Sequence, residues 1–188
     1  MIYQYRINGL PVQSGDIICT TDGKDDILPG EFWRLIGRLL PGDVDHIVIY
    51  VGPEGRCVEA AGRGVATFEI EDGIWNSDRL ILDRGLLVDT FHGVVYPLEG
   101  IGLSMDEQMQ IREDIIGYCL SQVGKPYNIN FFDVEHEDAF YCSQLAYKAY
   151  QRHGINLNTG LGITNLPGSD HIVFPQEIWD GFVHRRVE

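Results

Sequence analysis

Apolar residues along this chain recur with two periods. A period of two runs through Asp45-His46-Ile47-Val48-Ile49-Tyr50-Val51-Gly52, which places His46, Val48 and Tyr50 on one face of a strand and Ile47, Ile49 and Val51 on the other. The Gly52-Pro53 and Glu54-Gly55 turns close that strand, so Arg56-Cys57-Val58-Glu59-Ala60-Ala61 reads as its antiparallel partner. In such a hairpin His46 and Glu59 come within reach of each other. Residues 14–21 read as a turn feeding another β-rich run, and 65–70 and 80–84 are further strand candidates. Trp75-Asn76-Ser77-Asp78 lies between those two as a turn or helical fragment, and 93–97 is ambiguous.

Helical spacing appears in three places. Phe32, Leu35, Ile36, Leu39 and Leu40, with Arg34 and Arg38 on the other side, predict an amphipathic helix between Pro29-Gly30 and Pro41-Gly42. It reads as a helix lying on the core, with a greasy flap over a substrate groove or a membrane-surface helix as alternatives. Ser104 and Glu107 have the form of a capping box, and Met109, Ile115, Ile116, Cys119, Leu120 and Val123 continue it as a helix over 105–123, with Cys119 on the core side. Leu145, Ala146, Ala149 and Tyr150 predict a third helix over 142–153, stopped by Gly154. Residues 156–175, rich in glycine, asparagine and proline, read as loop, and 22–26 as a solvated turn without the ligand spacing of a calcium loop. No repeat or linker divides the chain, so the expectation is one α+β domain over 1–188.

Composition narrows the function. Of 188 residues, 44% are hydrophobic and 22% charged, which excludes a disordered chain. The formal charge of -14, without a lysine/arginine cluster, argues against a nucleic-acid or anionic-membrane partner. Four cysteines, Cys19, Cys57, Cys119 and Cys142, are widely spaced with no CxxC pair, so reduced thiols and a cytoplasmic setting are expected, with no metal or other cofactor. No signal peptide or membrane-spanning run is legible, and the oligomeric state is open.

Cys142 begins a predicted helix, where unpaired amides and the positive dipole end stabilise a thiolate and can hold an oxyanion. Read alone, it is more readily a buried core cysteine, the commoner fate of this residue. A reactive thiol needs a base, and the base needs a group to hold its tautomer. His46 and Glu59 are candidates of the right type. Glu135-His136-Glu137-Asp138 reads as a solvated loop, because it lacks the helical histidine spacing of a zinc hydrolase. Ser143 sits in no GxSxG elbow.

The words around these residues are more specific than the residue types. Gly124-Lys125-Pro126-Tyr127 followed by Tyr141-Cys142-Ser143-Gln144-Leu145 resembles the nucleophile half of the NlpC-type papain-like cysteine peptidases. Gly15-Asp16-Ile17-Ile18, His46-Ile47-Val48-Ile49-Tyr50-Val51-Gly52 and Val58-Glu59-Ala60 resemble the other half. Here the histidine half comes first, the order of the circularly permuted YiiX/YaeF-like branch and of the related lecithin retinol acyltransferase-like enzymes. Two positions depart from the standard pattern: Tyr141 replaces an aspartate, and Gln144 a glycine.

The resemblance implies a permuted papain-like fold, an antiparallel, partly barrel-like sheet packed on helices, and a cysteine hydrolase. Cys142 is then the nucleophile, His46 the base, and Glu59 the residue orienting it. The Cys142 amide contributes to an oxyanion hole, worth roughly 10²–10³ in rate per donor. Tyr127, Tyr141 and Ser143 are the candidate oxyanion or substrate-binding residues, with an ordinary turn aromatic as the alternative for Tyr127. The implied substrate is an amide in a peptide, an amino-acid conjugate or cell-wall-like material. A lipid ester or amide, or a catalytically silent binding module, are the alternatives.

Overall fold

Among the described residues, six strands form one antiparallel sheet in the order β6-β5-β4-β3-β7-β8. They are β3 (Ile17–Asp22), β4 (His46–Tyr50), β5 (Arg56–Ala61), β6 (Gly64–Glu69), β7 (Asp89–Val95) and β8 (His184–Arg186). A separate hairpin, β1 (Gln4–Ile7) and β2 (Leu10–Gln13), precedes them. The helices are α1 (Ser77–Leu80), α2 (Met105–Ser121), α3 (Cys142–Gln151) and α4 (Pro175–Gly181). This computed structural model describes residues 1–22, 42–85, 87–161 and 171–187. The amphipathic helix expected at 31–40 and the loop expected from Gly23 onward lie outside the described residues.

The sheet is covered on both faces, so β3 and β4 are buried at nearly every position instead of alternating between core and solvent. The predicted alternation of β4 survives as a division between two cores. Ile47 and Ile49, with Ile17, Cys19, Val58 and Ala60, face the helices and meet Ile115 and Cys119 of α2, Leu145, Ala146 and Ala149 of α3, and Ile178 of α4. Val48 and Tyr50, with Ile18, Cys57, Phe68 and Val94, face the hairpin and meet Ile7, Val12, Trp75 and Leu80. The stripe that predicts α3 is thus the stripe that seats it on β4 and β5. Burying Leu145 alone contributes roughly 1.5–3 kcal/mol to that seat.

Ser104 accepts from the Glu107 amide and Glu107 accepts from the Ser104 amide, so the expected capping box starts α2. Arg112 enters the core from this helix and donates to Asp16 Oδ1 at 2.7 Å and to the Ser14 carbonyl at 2.8 Å. The Gly-Asp turn ahead of β3 is therefore clamped to α2. At the β5–β6 turn, Gly64 has φ +82, and a Cβ there would stand 2.3 Å from the Lys125 carbonyl oxygen. The Val65 amide donates to that oxygen, and the Gly124 amide donates back to the Val65 carbonyl, both at 2.8 Å. The segment leading to Tyr127 is in this way bonded to the sheet edge.

Several expectations need correction. Among the described residues the sheet has two ends, β6 and β8, and does not close, so the partly barrel-like form is not found there. Residues 80–84 are not a strand. Asn76 caps α1 by accepting from the Arg79 amide, and the turn that follows swings Arg84 into the interior. The ambiguous 93–97 stretch is the end of β7, which starts at Asp89. Helices α2 and α3 each end two residues sooner than expected, at Ser121 and Gln151. Hairpin β1–β2, α4 and β8 were not anticipated. Among the described residues no helix is long and apolar enough to cross a membrane.

Candidate active site

Cys142 is the first residue of α3, with Tyr141 in extended conformation as its N-cap. The first-turn amides of a helix have no intrahelical partners, so they are available to a negative charge at this point. His46 starts β4 and lies in register with Thr20 of β3, while Glu59 lies on β5 one diagonal step from His46. The sheet thus offers these two side chains at one end, and α3 brings its N-terminus onto it.

His46 Nε2 and Glu59 Oε2 are 2.7 Å apart, with side-chain exposures of 14% and 2%. The carboxylate occupies Nε2, and the imidazole and the Cys142 thiol act on each other's ionisation. Burial pushes the Cys142 thiol up. The His46 charge, the largest of the opposing influences, and the Ile47 amide outweigh it and bring the thiol below its ordinary value of 9.0. For His46, burial works against the charged form, yet the thiolate and the Glu59 carboxylate prevail and raise the imidazole to about 10. Cys142 is buried, with 7% of its surface exposed. A thiolate–imidazolium pair at the lip of a helix can attack an electrophilic carbonyl and return a proton to a leaving group.

The other predicted residues divide into two kinds. Tyr127 joins Phe140 in a parallel bridge, and burial followed by the Cys142 charge raises its phenol, which sets its hydroxyl in the field of the thiolate. Tyr141 and Ser143 instead hold the two sides of one residue. The Tyr141 hydroxyl accepts from the Val173 amide at 3.2 Å, and the Ser143 hydroxyl donates to the Val173 carbonyl at 2.6 Å. Both side chains tie the segment before α4 to the N-terminus of α3. His136 pairs with Asp133 on the surface, and among the described residues no group of three or more His, Cys, Asp or Glu is placed to hold a metal ion. All four cysteines are free thiols.

Sequence reasoning missed three residues that shape this site. Arg84, fully buried, donates through Nε and Nη2 to both oxygens of Glu59 at 2.9 and 2.8 Å, and through Nη1 and Nη2 to Asp89 at 2.7 and 2.9 Å. Asp89 also accepts from Thr20, Trp75 and Ser77. A strand reading of 80–84 hid Arg84, and nothing local distinguishes Asp89 from a surface acid. Gln144, also fully buried, donates to the carbonyls of Asp133, Val134 and His136 and accepts from the Asn128 amide group and the Tyr141 backbone. Its replacement of the standard glycine was the one available signal.

A cavity of about 890 Å³ lies elsewhere, beside the hairpin, lined by Tyr5, Arg6, Asp16, Tyr96 and Arg112 among others and by none of Cys142, His46 or Glu59. Volume alone would direct attention there. The thiol and imidazole that perturb each other's ionisation lie instead at the N-terminus of α3.

The family described as permuted papain-like amidase enzyme, YaeF/YiiX, C92 family, matches residues 12–164. Neither a curated protein nor a solved structure matches the chain.

Proposed function

Because the chain belongs to the permuted papain-like amidases, we propose that it is a cysteine amidohydrolase in which Cys142 is the nucleophile, His46 transfers the proton and Glu59 orients His46. The 188 residues form one catalytic domain in this reading. The Cys142 thiolate adds to an amide carbonyl, and the oxyanion is met by the first-turn amides of α3 and by Tyr127. His46 gives its proton to the departing amine. Water then attacks the thioester, His46 takes its proton, and the acid leaves as Cys142 returns to thiolate. Tyr141 and Ser143 act through Val173, whose peptide they tie to the N-terminus of α3.

The observation that carries the reading is the His46–Glu59 contact of 2.7 Å coupled to a thiol held below its ordinary range. A silent binding module has no use for such a pair. The lipid-directed alternative draws on the apolar stripe at 31–40, outside the described residues, so an amide in a peptide, amino-acid conjugate or cell-wall-like substrate is retained.

The test is alkylation with iodoacetamide at pH 6, followed by a screen of amide and ester libraries. We expect stoichiometric labelling of Cys142, and amide turnover that disappears in both the labelled enzyme and Cys142→Ala. A thiol that reacts only above pH 9, or turnover that survives in Cys142→Ala, overturns the assignment.

A further inference from the structure

We propose that Arg84 is a positioning residue of the active site, a buried fork that locks Glu59 in place and in its ionised form behind His46, with Asp89 as the anchor of the fork. The inference rests on the catalytic reading above and deepens it.

Glu59 is 2% exposed and sits in a place where a carboxylate alone would take up a proton. Its two oxygens receive Nε and Nη2 of Arg84, a bidentate grip that fixes the plane of the carboxylate as well as its charge. The Oε2 atom held by Arg84 is the same atom that meets His46 Nε2. The orientation of the imidazole is thus inherited from the guanidinium. Arg84 cannot turn away, because Nη1 and Nη2 are also bound by Asp89, and its guanidinium lies 4.9 Å from the Phe68 ring centre and 4.7 Å from that of Trp75. Asp89 is held in turn by Thr20 of β3 and by Trp75 and Ser77 at the start of α1.

Among the described residues the charges that face Glu59 are few. Arg84 comes from the turn after α1, His46 from β4, and the Cys57 thiol lies two positions along its own strand; Asp89 of β7 stands behind Arg84. Burial pushes the Glu59 carboxyl up, and Arg84 is the largest influence bringing it below 4.5, ahead of His46. Without the guanidinium, two buried carboxylates would share this pocket with only the imidazole as counter-charge. One of them would then hold a proton at neutral pH, and His46 would lose its anionic partner. The thiolate–imidazolium pair depends on that partner.

The experiment is the pH profile of Cys142 alkylation by iodoacetamide, measured from pH 5 to 10 in wild type, Arg84→Met and Arg84→Lys, with far-UV circular dichroism as the check on folding. Wild type should show a reactive plateau well below pH 9. In Arg84→Met we expect that plateau to collapse toward an ordinary thiol titration near pH 9, with the rate at pH 6 down at least ~10-fold, the equivalent of one pKa unit or more. Arg84→Lys keeps the charge but cannot grip both carboxylates, and its rate at pH 6 should fall between the other two. It also serves as the test if Arg84→Met does not fold. A purely structural role would lower stability and leave the profile in place. A folded Arg84→Met, or a folded Arg84→Lys if only that variant folds, with the wild-type profile overturns the proposal and leaves the triad standing. A wild-type profile without the low-pH plateau overturns both.

Discussion

Replacing Gln144 by alanine should loosen the nucleophile's helix from the loop that precedes it, without disturbing the ionisation of the thiol. The Gln144 side chain spans from α3 to the 128–136 loop, donating to the carbonyls of His136 at 2.9 Å, Asp133 at 3.1 Å and Val134 at 3.3 Å, and accepting from Asn128 Nδ2 at 3.0 Å. An amide has two N–H protons, so of the three carbonyls two are well served, and the Asn128 bond makes a third good interaction. At about 1 kcal/mol net for each neutral bond, the variant loses about 3 kcal/mol. The Val134 side, being buried, adds to this by leaving its carbonyl dry, while water can reach the outer carbonyls and takes some back. For a chain of this length, about 3 kcal/mol corresponds to a fall in Tm of roughly 6–12 °C. Urea unfolding gives the free energy, and limited proteolysis should cut Gln144→Ala faster within 128–138. Alkylation of Cys142 at pH 6 should stay within about threefold of wild type, because neither His46 nor Glu59 touches Gln144. A loss below about 1 kcal/mol would show that water already serves those carbonyls and that Gln144 does not join loop to helix.

Two further outcomes are expected. Amide hydrolysis should rise with pH through the depressed Cys142 value, below 9.0, and fall again near pH 10 as His46 gives up the proton needed by the leaving group; iodoacetamide alkylation, which needs only the thiolate, should keep the first limb and lack the second. A descending limb in alkylation, or none in hydrolysis, contradicts these roles. Gly64→Ala should destabilise the fold by about 2 kcal/mol or more, since the new Cβ would meet the Lys125 oxygen at 2.3 Å in a backbone of φ +82 that alanine disfavours, and a melt within 2 °C of wild type would refute the close approach of β6 to the Tyr127 segment.

Much of this protein could be read from its residues in order. The alternation in 45–52, the Gly-Pro turn and the partner strand are local properties, and β4 and β5 follow them. Capping at Ser104 and the apolar stripe after Cys142 are equally local, so α2 and α3 were legible to within two residues at their C-terminal ends. Even the pairing of His46 with Glu59 was available, because a hairpin converts sequence distance into cross-strand distance by a simple count. The order of the two halves pointed to the family for the same reason: it is a matter of words along the chain.

What only the tertiary structure decided concerns groups whose partners are far away in sequence and arrive from several elements. Residues 80–84 carry enough leucine and isoleucine to look like a strand, but the deciding term is a guanidinium that must meet two carboxylates inside. Asp89 draws donors from β3, the turn before α1, α1 itself and Arg84, and none of these is adjacent to it. Gln144 and Val173 are similar cases, fixed by hydrogen bonds that reach from the helix start to separate loops. Local propensity and periodicity report which face of an element is apolar, whereas the satisfaction of a buried charge is a sum over everything that surrounds it. That sum exists only once the chain has folded.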